Sequence, residues 1–271
     1  MCRSYPNGGI SVQFNLSSKE RVQKQFGQNA EKYVSSEGHA HGTDLALAIE
    51  WLQPALDDVM LDIATGGGHV AKALAPSVKS VMVSDLTPAM LETARKHLTD
   101  SGVDNAHYVL ADAEHLPFLD HSFDVVSCRI APHHFPDPDA FIREVGRVLR
   151  PNGRFLLIDN VAPDDSALSD FVNLVEGIRD PSHVKCLTAV QWQSLLEKNG
   201  LLLARDLSRK KKFRFQSWLD RMAPTEAHRL AVSTILLHAP QDFKTYFQIE
   251  IEDGTVSSFE TDEWIALAVK V

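Results

Sequence analysis

Two aspartates and a run of glycines lie where apolar segments of the sequence give way to helical ones. Asp62 lies near the end of the apolar run 59–64, and Asp85 ends the next run, 80–85. Residues 66–68 are three consecutive glycines, which let a backbone approach a ligand because no Cβ atoms intervene. The position of Asp85 suits ribose hydroxyls, and Asp62 suits a ligand that carries a cation. These residues predict a site for a nucleoside that bears a cationic amino group.

The glycine segment does not match the dinucleotide-binding pattern GxGxxG. When Ala64 and Gly66 are aligned with the first two glycines of that pattern, His69 takes the third position. A glycine is needed there because helix and strand pack closely. The sequence therefore disfavours NAD as the ligand.

The elements that must position these residues follow an alternating rhythm. Short apolar runs rich in β-branched residues alternate with helical segments, which is typical of a parallel sheet covered by helices on both faces. The predicted strands are 59–64, 80–85, 106–112, 123–130, 154–161, 201–207 and 261–271. The sequence therefore predicts an α/β fold with a doubly wound, mostly parallel sheet.

Local signals predict where several helices begin and end. Pro88 opens one helix, which closes before Ser101, and Asp137 with Pro138 provides a cap and first turn for another. Thr188 and Gln191 have the spacing of a capping box. Strand, helix and turn signals thus agree with one another.

One domain is predicted after a flexible N-terminus. Residues 1–15 form that N-terminus and 16–271 the domain, which begins with a helical arm to about residue 56. The core that binds the cofactor spans about 57–161, and a small inserted cap spans about 209–240.

Composition limits the partners and the compartment. The 271 residues are 44% hydrophobic and 23% charged, with a net charge of -9, which disfavours nucleic acids and anionic membrane surfaces. Cys2, Cys128 and Cys186 form neither a disulfide framework nor a CxxC metal site. We find no apolar run of membrane-spanning length and no secretory signal. A cytoplasmic protein without a membrane span is expected, and a homodimer is left open.

Five motifs follow one another between residues 62 and 159, and the resemblance that they carry extends over about residues 20 to 200. They are Asp62-x-Ala64-x-Gly66-x-Gly68, Asp85-Leu86-Thr87-Pro88-x-Met90-Leu91, and the stretches 111–118, 123–137 and 148–159. In this order and spacing they resemble the motifs of class I S-adenosylmethionine-dependent methyltransferases, most closely the ubiquinone/menaquinone C-methyltransferase-like group. The resemblance implies a Rossmann-like sheet of seven strands whose last strand is antiparallel.

The resemblance also implies S-adenosyl-L-methionine as the cofactor and assigns its contacts. The loop from Asp62 to Gly68 would hold the amino acid end, and Asp85 the ribose hydroxyls. The remaining implied contacts are Leu86 and Met90 after Asp85, Asp112 with Ala113 at the adenine edge, and the backbone of Cys128 and Arg129 as the floor. Ala64 departs from the family, which usually has a glycine there.

Phe26 and Tyr33 lie in the N-terminal arm, seven residues apart, which is the spacing of one helix face. Two interpretations stay open. They are core residues, or they cover the cofactor, as this arm does in the resembling family.

Several histidines and one arginine are candidates for chemistry or substrate binding. His133 and His134 follow the fourth strand, where imidazole is a suitable base near neutral pH, although both could instead only shape the pocket. Arg179 and His183 lie in a polar segment that contacts the substrate or forms a surface turn. His39 is a further substrate candidate, and with His41 it is too weak a pair to predict a metal site.

The function predicted from the sequence is methyl transfer to carbon or oxygen of a small molecule. Because the activated donor supplies the leaving group, the protein mainly has to align donor and acceptor and exclude water. Two alternatives stay open: a protein that binds the same cofactor in a cyclase-like or structural role, and a nicotinamide oxidoreductase. No metal is expected.

Overall fold

The computed structural model of the protein describes residues 16–34 and 43–271, apart from the side chains of residues 28, 30–34, 43 and 48. The predicted flexible segment 1–15 lies outside the described residues. So do His39, His41 and the side chain of Tyr33.

Ten helices and eight strands are assigned within the described ranges. The helices are α1 Ser18–Val34, α2 Thr43–Leu52, α3 His69–Leu74, α4 Pro88–Asp100, α5 Pro138–Val148, α6 Ser166–Arg179, α7 Ala189–Lys198, α8 Phe215–Met222, α9 Glu226–Leu237 and α10 Gln241–Tyr246. The strands are β1 Val59–Ile63, β2 Ser80–Asp85, β3 Ala106–Leu110, β4 Phe123–Arg129, β5 Leu149–Val161, β6 Leu201–Arg214, β7 Glu250–Glu252 and β8 Thr255–Lys270. Short 3₁₀ turns cover Ala75–Ser77 and Pro132–His134.

The strands form one open sheet in the order β3-β2-β1-β4-β5-β8-β6, with β7 paired to β8. β1 pairs in parallel with β2 and β4, and the parallel ladder continues to β3 on one side and β5 on the other. β8 is antiparallel to both of its long neighbours. The predicted mostly parallel sheet with an antiparallel last strand is therefore confirmed, and the short β7 is an eighth strand beyond the seven expected.

Each face of the sheet is covered by a separate apolar cluster. One contains Phe141 of α5 and Trp192 of α7. The opposite cluster contains Trp51 of α2, Leu74 of α3 and Leu98 of α4. Helices on both faces bury both sides of the strands, which is why these segments read as nearly continuous apolar runs. The ends of the parallel strands remain as the edge where polar side chains gather.

The predicted helix signals act as expected. The side chain of Asp137 accepts a hydrogen bond from the backbone of Ala140, and Pro138 is the first residue of α5. Thr188 and Gln191 make both hydrogen bonds of a capping box at the start of α7. These local interactions set the helix starts before tertiary packing contributes.

The inserted helices differ in extent from the predicted cap. Residues 209–214 continue β6, since they pair with β8 from Glu263 to Ser258. The helical insertion begins at Phe215 and runs to Tyr246, so both ends of the predicted 209–240 segment shift toward the C-terminus. The basic residues 209–212 form ion pairs with acidic residues of β7 and β8, which explains a charged strand at the edge of the sheet.

Across the described ranges, no helix is both long and apolar enough to cross a membrane.

Candidate active site

A cleft of about 1000 Å³, which includes space open to solvent, lies along the carboxyl edge of the sheet. Its walls come from the loops after β1, β2, β3 and β4 and from α1. Of the predicted cofactor contacts, those that line it are Phe26, Asp62, Ala64, Gly66, Asp85, Leu86, Met90, Asp112, Ala113 and Arg129. Ligands of open α/β sheets bind at this edge, beyond the carboxyl ends of the strands.

The glycine loop turns sharply between β1 and α3. Ala64 and Gly66 have φ angles of 51° and 57°, in the left-handed region. That region favours glycine, which explains why the resembling family usually has a glycine where this chain has Ala64. Gly68 does not appear among the described cleft-lining residues: an added Cβ would lie 3.2 Å from the Leu98 side chain, so this glycine allows α4 to pack closely.

Both carboxylate oxygens of Asp85 accept hydrogen bonds from the backbone of the cleft. Its Oδ1 accepts from the backbone of Thr87 at 2.8 Å, and its Oδ2 accepts from the backbone of Gly66 at 3.1 Å. Burial raises the pKa of Asp85 to about 6, although these two hydrogen bonds favour the charged form. The neighbouring Thr87 lines the cleft, and its buried Oγ1 has no hydrogen-bond partner among the described residues. A hydroxyl-bearing ligand would satisfy both groups.

Asp62 is buried at the end of β1, and both of its oxygens have protein partners. The hydroxyls of Ser127 and Thr65 each donate to it at 2.6 Å. Burial raises the pKa of Asp62 against the effect of these two donors. The two hydroxyls orient the carboxylate toward the glycine loop, where a cationic group would add to its stabilisation.

The loop after β3 carries a compact charged cluster. Asp112, Glu114 and His115 bring potential metal-ligand atoms within 4.8 Å of one another. The ammonium of Lys19 from α1 contacts the carboxylates of Asp112 and Glu114 at 2.5 Å each. One protein cation therefore already offsets part of the negative charge of these two acids, and the cluster ties α1 to this end of the cleft. Ala113 lies between the two acids and is buried.

Helix α1 forms the roof of the cleft. Gln23 donates to the carbonyl of Leu86, and Gln25 donates to the carbonyl of Met222 in α8. Phe26 packs edge-on against the ring of His134, with 5.0 Å between ring centroids. Of the two open interpretations of Phe26, these contacts favour a covering role.

The end of β4 forms the floor. Cys128 is fully buried in the core beneath the cleft, and burial raises the pKa of its thiol well above the ordinary value. Arg129 lines the cleft and donates to Asp44 of α2 at 2.5 Å. Ile130 follows with φ 52°, an uncommon conformation for a β-branched residue. Such strain is typical of functional sites, because only strong surrounding structure maintains it.

His133 and His134 form the short turn after β4, and their environments differ. The ring of His133 donates from Nδ1 to Asp159 at 2.6 Å, while its backbone donates to the same carboxylate at 2.9 Å. Burial disfavours the charged ring, but Asp159, together with Glu176 and Asp180, raises the pKa of His133 above its ordinary value. His133 is not among the described residues that line the cleft.

His134 lies against the cleft, with its ring centroid 4.2 Å from that of His133. Burial, followed by the charge of His133, lowers the pKa of His134 well below the ordinary value. Two adjacent imidazoles with opposite shifts are the pattern by which acid and base roles are separated in active sites. His134 is therefore neutral near pH 7, with a lone pair on one ring nitrogen and a lower basicity than an ordinary imidazole.

The predicted substrate residues Arg179 and His183 have protein partners instead. Arg179 forms an ion pair with Glu176 at 2.6 Å and lies over the Trp218 ring. The ring of His183 is hydrogen-bonded to Asn173 at 3.0 Å, and burial lowers the pKa of His183 to about 4. Neither residue is among the described residues that line the cleft, so substrate contact by them stays a prediction.

Sequence reasoning missed four polar residues of this region. Asp159 lies near the end of the fifth strand, two residues before Val161, and could have been found by the same strand-end argument that identified Asp62 and Asp85. Lys19 and Ser182 carry no recognisable local signal, because each gains its partners from distant segments. Thr87 was within a quoted motif but was given no role.

Comparisons with known proteins agree with this geometry. The methyltransferase domain model matches residues 61–157. Over 235 residues the chain is 37% identical to the uncharacterised methyltransferase YcgJ of Bacillus subtilis, an alignment that covers 86% of this chain and 93% of that protein. It is also 41% identical to the ubiquinone/menaquinone biosynthesis C-methyltransferase UbiE of Hahella chejuensis, over 41% of this chain and 46% of that enzyme.

A solved structure matches over nearly its whole length. A candidate methyltransferase of Bacillus halodurans superposes with a TM-score of 0.82 and 40% identity, covering 84% of this chain and 99% of that one. The fold and the site thus define an enzyme of the Rossmann-like methyltransferase class. The chain belongs to the class I S-adenosylmethionine-dependent methyltransferase family.

Proposed function

We propose that this protein transfers a methyl group from S-adenosylmethionine to a carbon or oxygen atom of a small molecule in the cytoplasm. One observation carries the proposal: a single cleft joins the buried Asp85, with its oriented oxygens, to the neutral His134. Family membership supports methyl transfer. The small-molecule acceptor and the roles below are inferred from the cleft.

The residues present fit the cofactor. Asp85 would accept hydrogen bonds from the ribose hydroxyls, and the orphaned hydroxyl of Thr87 lies beside it. The loop from Asp62 to Gly68 would hold the amino acid end, with Gly66 close to the ligand because it has no Cβ. Ionising the buried Asp85 carboxyl costs free energy, and hydrogen bonds from ligand hydroxyls would offset part of that cost.

The other predicted contacts are assigned in the same way. Asp112 and Ala113 would face the adenine edge, Leu86 and Met90 would provide apolar contact, and the backbone at Cys128 and Arg129 would form the floor. Phe26 would cover the ligand from α1, and the same role is proposed for Tyr33. When bound, the cofactor supplies an activated methyl group with a good leaving group.

The chain then has two tasks. The first is alignment within a site that excludes water, which contributes about 7–11 kcal/mol in well-oriented reactions. The second is removal of a proton from the acceptor, for which His134 is our candidate base, with an expected contribution of about 10²–10⁴-fold. His133 lies behind it, positioned by Asp159, and would act on the charge of His134 rather than on the acceptor.

The cofactor is tested by calorimetric titration of the full chain with S-adenosylmethionine, its demethylated product and NAD. We expect the first two to bind and NAD not to bind. Binding of NAD alone would overturn the proposal.

The reaction is tested by transfer of isotopically labelled methyl groups to a panel of phenols, hydroquinones and 1,3-dicarbonyl compounds. The expected result is label in at least one acceptor, at oxygen or carbon as located by mass spectrometry. Tight cofactor binding without transfer to any acceptor would favour the cyclase-like or structural alternative.

A further inference from the structure

A polar loop from a distant part of the chain packs behind the histidine turn. It contains Asp180 and Ser182, in a segment for which the sequence allowed substrate contact or a surface turn. The backbone amides of Val184 and Lys185 both donate to the carbonyl of His133, at 2.9 and 3.0 Å. The loop is therefore attached to the turn by its main chain, and its side chains have a defined position relative to His134.

Ser182 determines which nitrogen of His134 carries the proton. Nδ1 of His134 lies 3.1 Å from the carbonyl oxygen of Ser182 and 3.3 Å from its hydroxyl oxygen. The hydroxyl donates its own proton to Asp180 at 2.6 Å, so its oxygen accepts from His134. A carbonyl oxygen can only accept. Both partners therefore require a proton on Nδ1, and Nε2 of the neutral ring keeps its lone pair.

Asp180 holds Ser182 in this position. The same Oδ1 atom that accepts from the hydroxyl also accepts from the backbone amide of Ser182 at 2.8 Å. Both residues are buried, with 3% of Asp180 and none of Ser182 exposed. Because these groups are removed from water, their hydrogen bonds are costly to leave unmade, and the arrangement is rigid.

Other titratable and charged groups surround the pair His133 and His134. They are Asp159 near the end of β5, Glu176 and Arg179 on α6, and Asp180 and His183 on the loop. Positive charge on His133 and Arg179 opposes protonation of His134. The backbone carbonyl of Ser182 acts in the opposite direction, because it accepts from Nδ1.

We propose that Asp180 and Ser182 are positioning residues for methyl transfer, which hold His134 with its proton on Nδ1 and its Nε2 ready to accept a proton from the methyl acceptor. This rests on the proposed function. As the acceptor's O–H or C–H bond breaks, an N–H bond forms at Nε2. The acceptor atom keeps the electron pair and bonds to the methyl carbon, while the pair of the broken carbon–sulfur bond stays on sulfur. The resulting imidazolium is stabilised by the hydrogen bond from Nδ1–H, which the carbonyl and hydroxyl oxygens of Ser182 share.

The tautomer is measured directly by long-range ¹H–¹⁵N NMR of the full chain labelled with ¹⁵N-histidine. The His134 signals are assigned by their loss in His134→Gln. We expect a protonated Nδ1 and an unprotonated Nε2 near pH 7. A protonated Nε2 with a bare Nδ1 would overturn the proposal. No cofactor or acceptor is needed, so this result is separate from the success or failure of the proposed function.

The positioning role is tested with Ser182→Ala and Asp180→Asn. Each is expected to lower kcat about three- to thirtyfold, because one or two buried hydrogen bonds that support the imidazolium are lost. The acidic limb of the kcat profile should move to lower pH, while cofactor affinity stays unchanged. Ser182→Thr keeps the hydroxyl and should restore most of the rate.

Ser194→Ala is the matched control, since it removes a hydroxyl on the exposed side of α7. If Asp180→Asn does not fold, the Ser182→Ala and Ser182→Thr pair decides the question. A wild-type kcat and pH profile in Ser182→Ala, with the tautomer unchanged, would assign the loop a purely structural role and refute the proposal.

Discussion

The cleft has a nucleoside end around Asp85 and a histidine end around His134. The two ends are assembled in different ways. At the nucleoside end, Asp85 is oriented by Gly66, 19 positions away, and by Thr87, two positions away. At the histidine end, His133 depends on Asp159, 26 positions away, and His134 depends on Ser182, 48 positions away. The first end is made by strand-end motifs of neighbouring strands, whereas the second requires an additional segment to fold back over the sheet.

Because of this difference, we expect cofactor binding to depend on one end of the cleft and the chemical step on the other. Parallel strands place their carboxyl ends side by side, so acids and glycines at those ends form a ligand site as soon as the sheet forms. The protonation states of His133 and His134 depend on burial and on nearby charges from β5, α6 and the following loop. We therefore expect substitutions at the nucleoside end to change cofactor affinity, and substitutions at the histidine end to change turnover.

The largest effect is expected for Gly66→Val. The residue has φ 57° and lines the cleft, so a branched side chain would strain the loop and occupy ligand space. Cofactor binding should be lost in calorimetry while circular dichroism still reports a folded protein. Gly102→Val is the matched control, because Gly102 has a similar φ of 77° with no atoms within 4 Å of an added Cβ. Normal binding by Gly66→Val would show that the loop does not contact the ligand.

His134→Gln should affect turnover next most strongly. We expect a loss of about 10²–10⁴-fold in single-turnover methyl transfer, with cofactor affinity near its original value, because base assistance acts in the transition state. The loss should depend on pH. His107→Gln, an exposed substitution on β3, is the control. A near-normal rate at every pH would leave alignment as the only contribution of this end of the cleft.

Asp85→Ala should weaken cofactor binding by about 1–3 kcal/mol, since hydrogen bonds to a charged acceptor are lost from the ribose. Calorimetry measures this directly. Saturating cofactor should restore most of the turnover, because the histidine end is unchanged. An unaltered cofactor affinity in the folded variant would show that Asp85 does not contact the cofactor.

The raised pKa of Asp85, about 6, predicts a pH dependence of cofactor affinity. Ribose donors favour the charged form, so affinity should rise as pH increases through about 6 and fall about tenfold per pH unit below it. Without ligand, stability has the opposite pH dependence. Because the fold favours protonated Asp85, the free energy of unfolding falls as pH rises from about 4 to about 6. Calorimetry between pH 5 and 7.5 checks the first effect, and Asp85→Asn should abolish it.

The smallest effect is expected for Lys19→Met. The ammonium ties α1 to Asp112 and Glu114, but its side chain is 32% exposed, so the contact is partly screened. We expect cofactor affinity to fall about two- to fivefold, less at high salt, with no change in the rate of the bound complex. Lys198→Met, which removes an exposed ion pair with Asp139, is the control. Tighter binding by Lys19→Met would instead indicate that Lys19 competes with the ligand for Asp112.

The sequence by itself determined the sheet, its parallel strands and the edge at which Asp62, Gly66 and Asp85 meet, whereas nucleoside binding there stays a prediction. Short apolar runs rich in β-branched residues, the caps at Asp137 and Thr188, and the glycine loop are local signals, and each acts over a few residues. Asp62 and Asp85 could be assigned to one edge because the direction of a parallel strand places its last residue there. The sequence also showed that Ala64 replaces the glycine usual in the family, although it did not show that Ala64 has a left-handed backbone conformation.

Only the tertiary structure decided the histidine end. The sequence proposed His133 and His134 together and could not separate them, because burial and the charge of a neighbour set their opposite pKa shifts. It also left Arg179 and His183 as substrate candidates, whereas the fold pairs them with Glu176 and Asn173. Partners 48 positions apart meet only in the folded chain, and no local pattern encodes that distance.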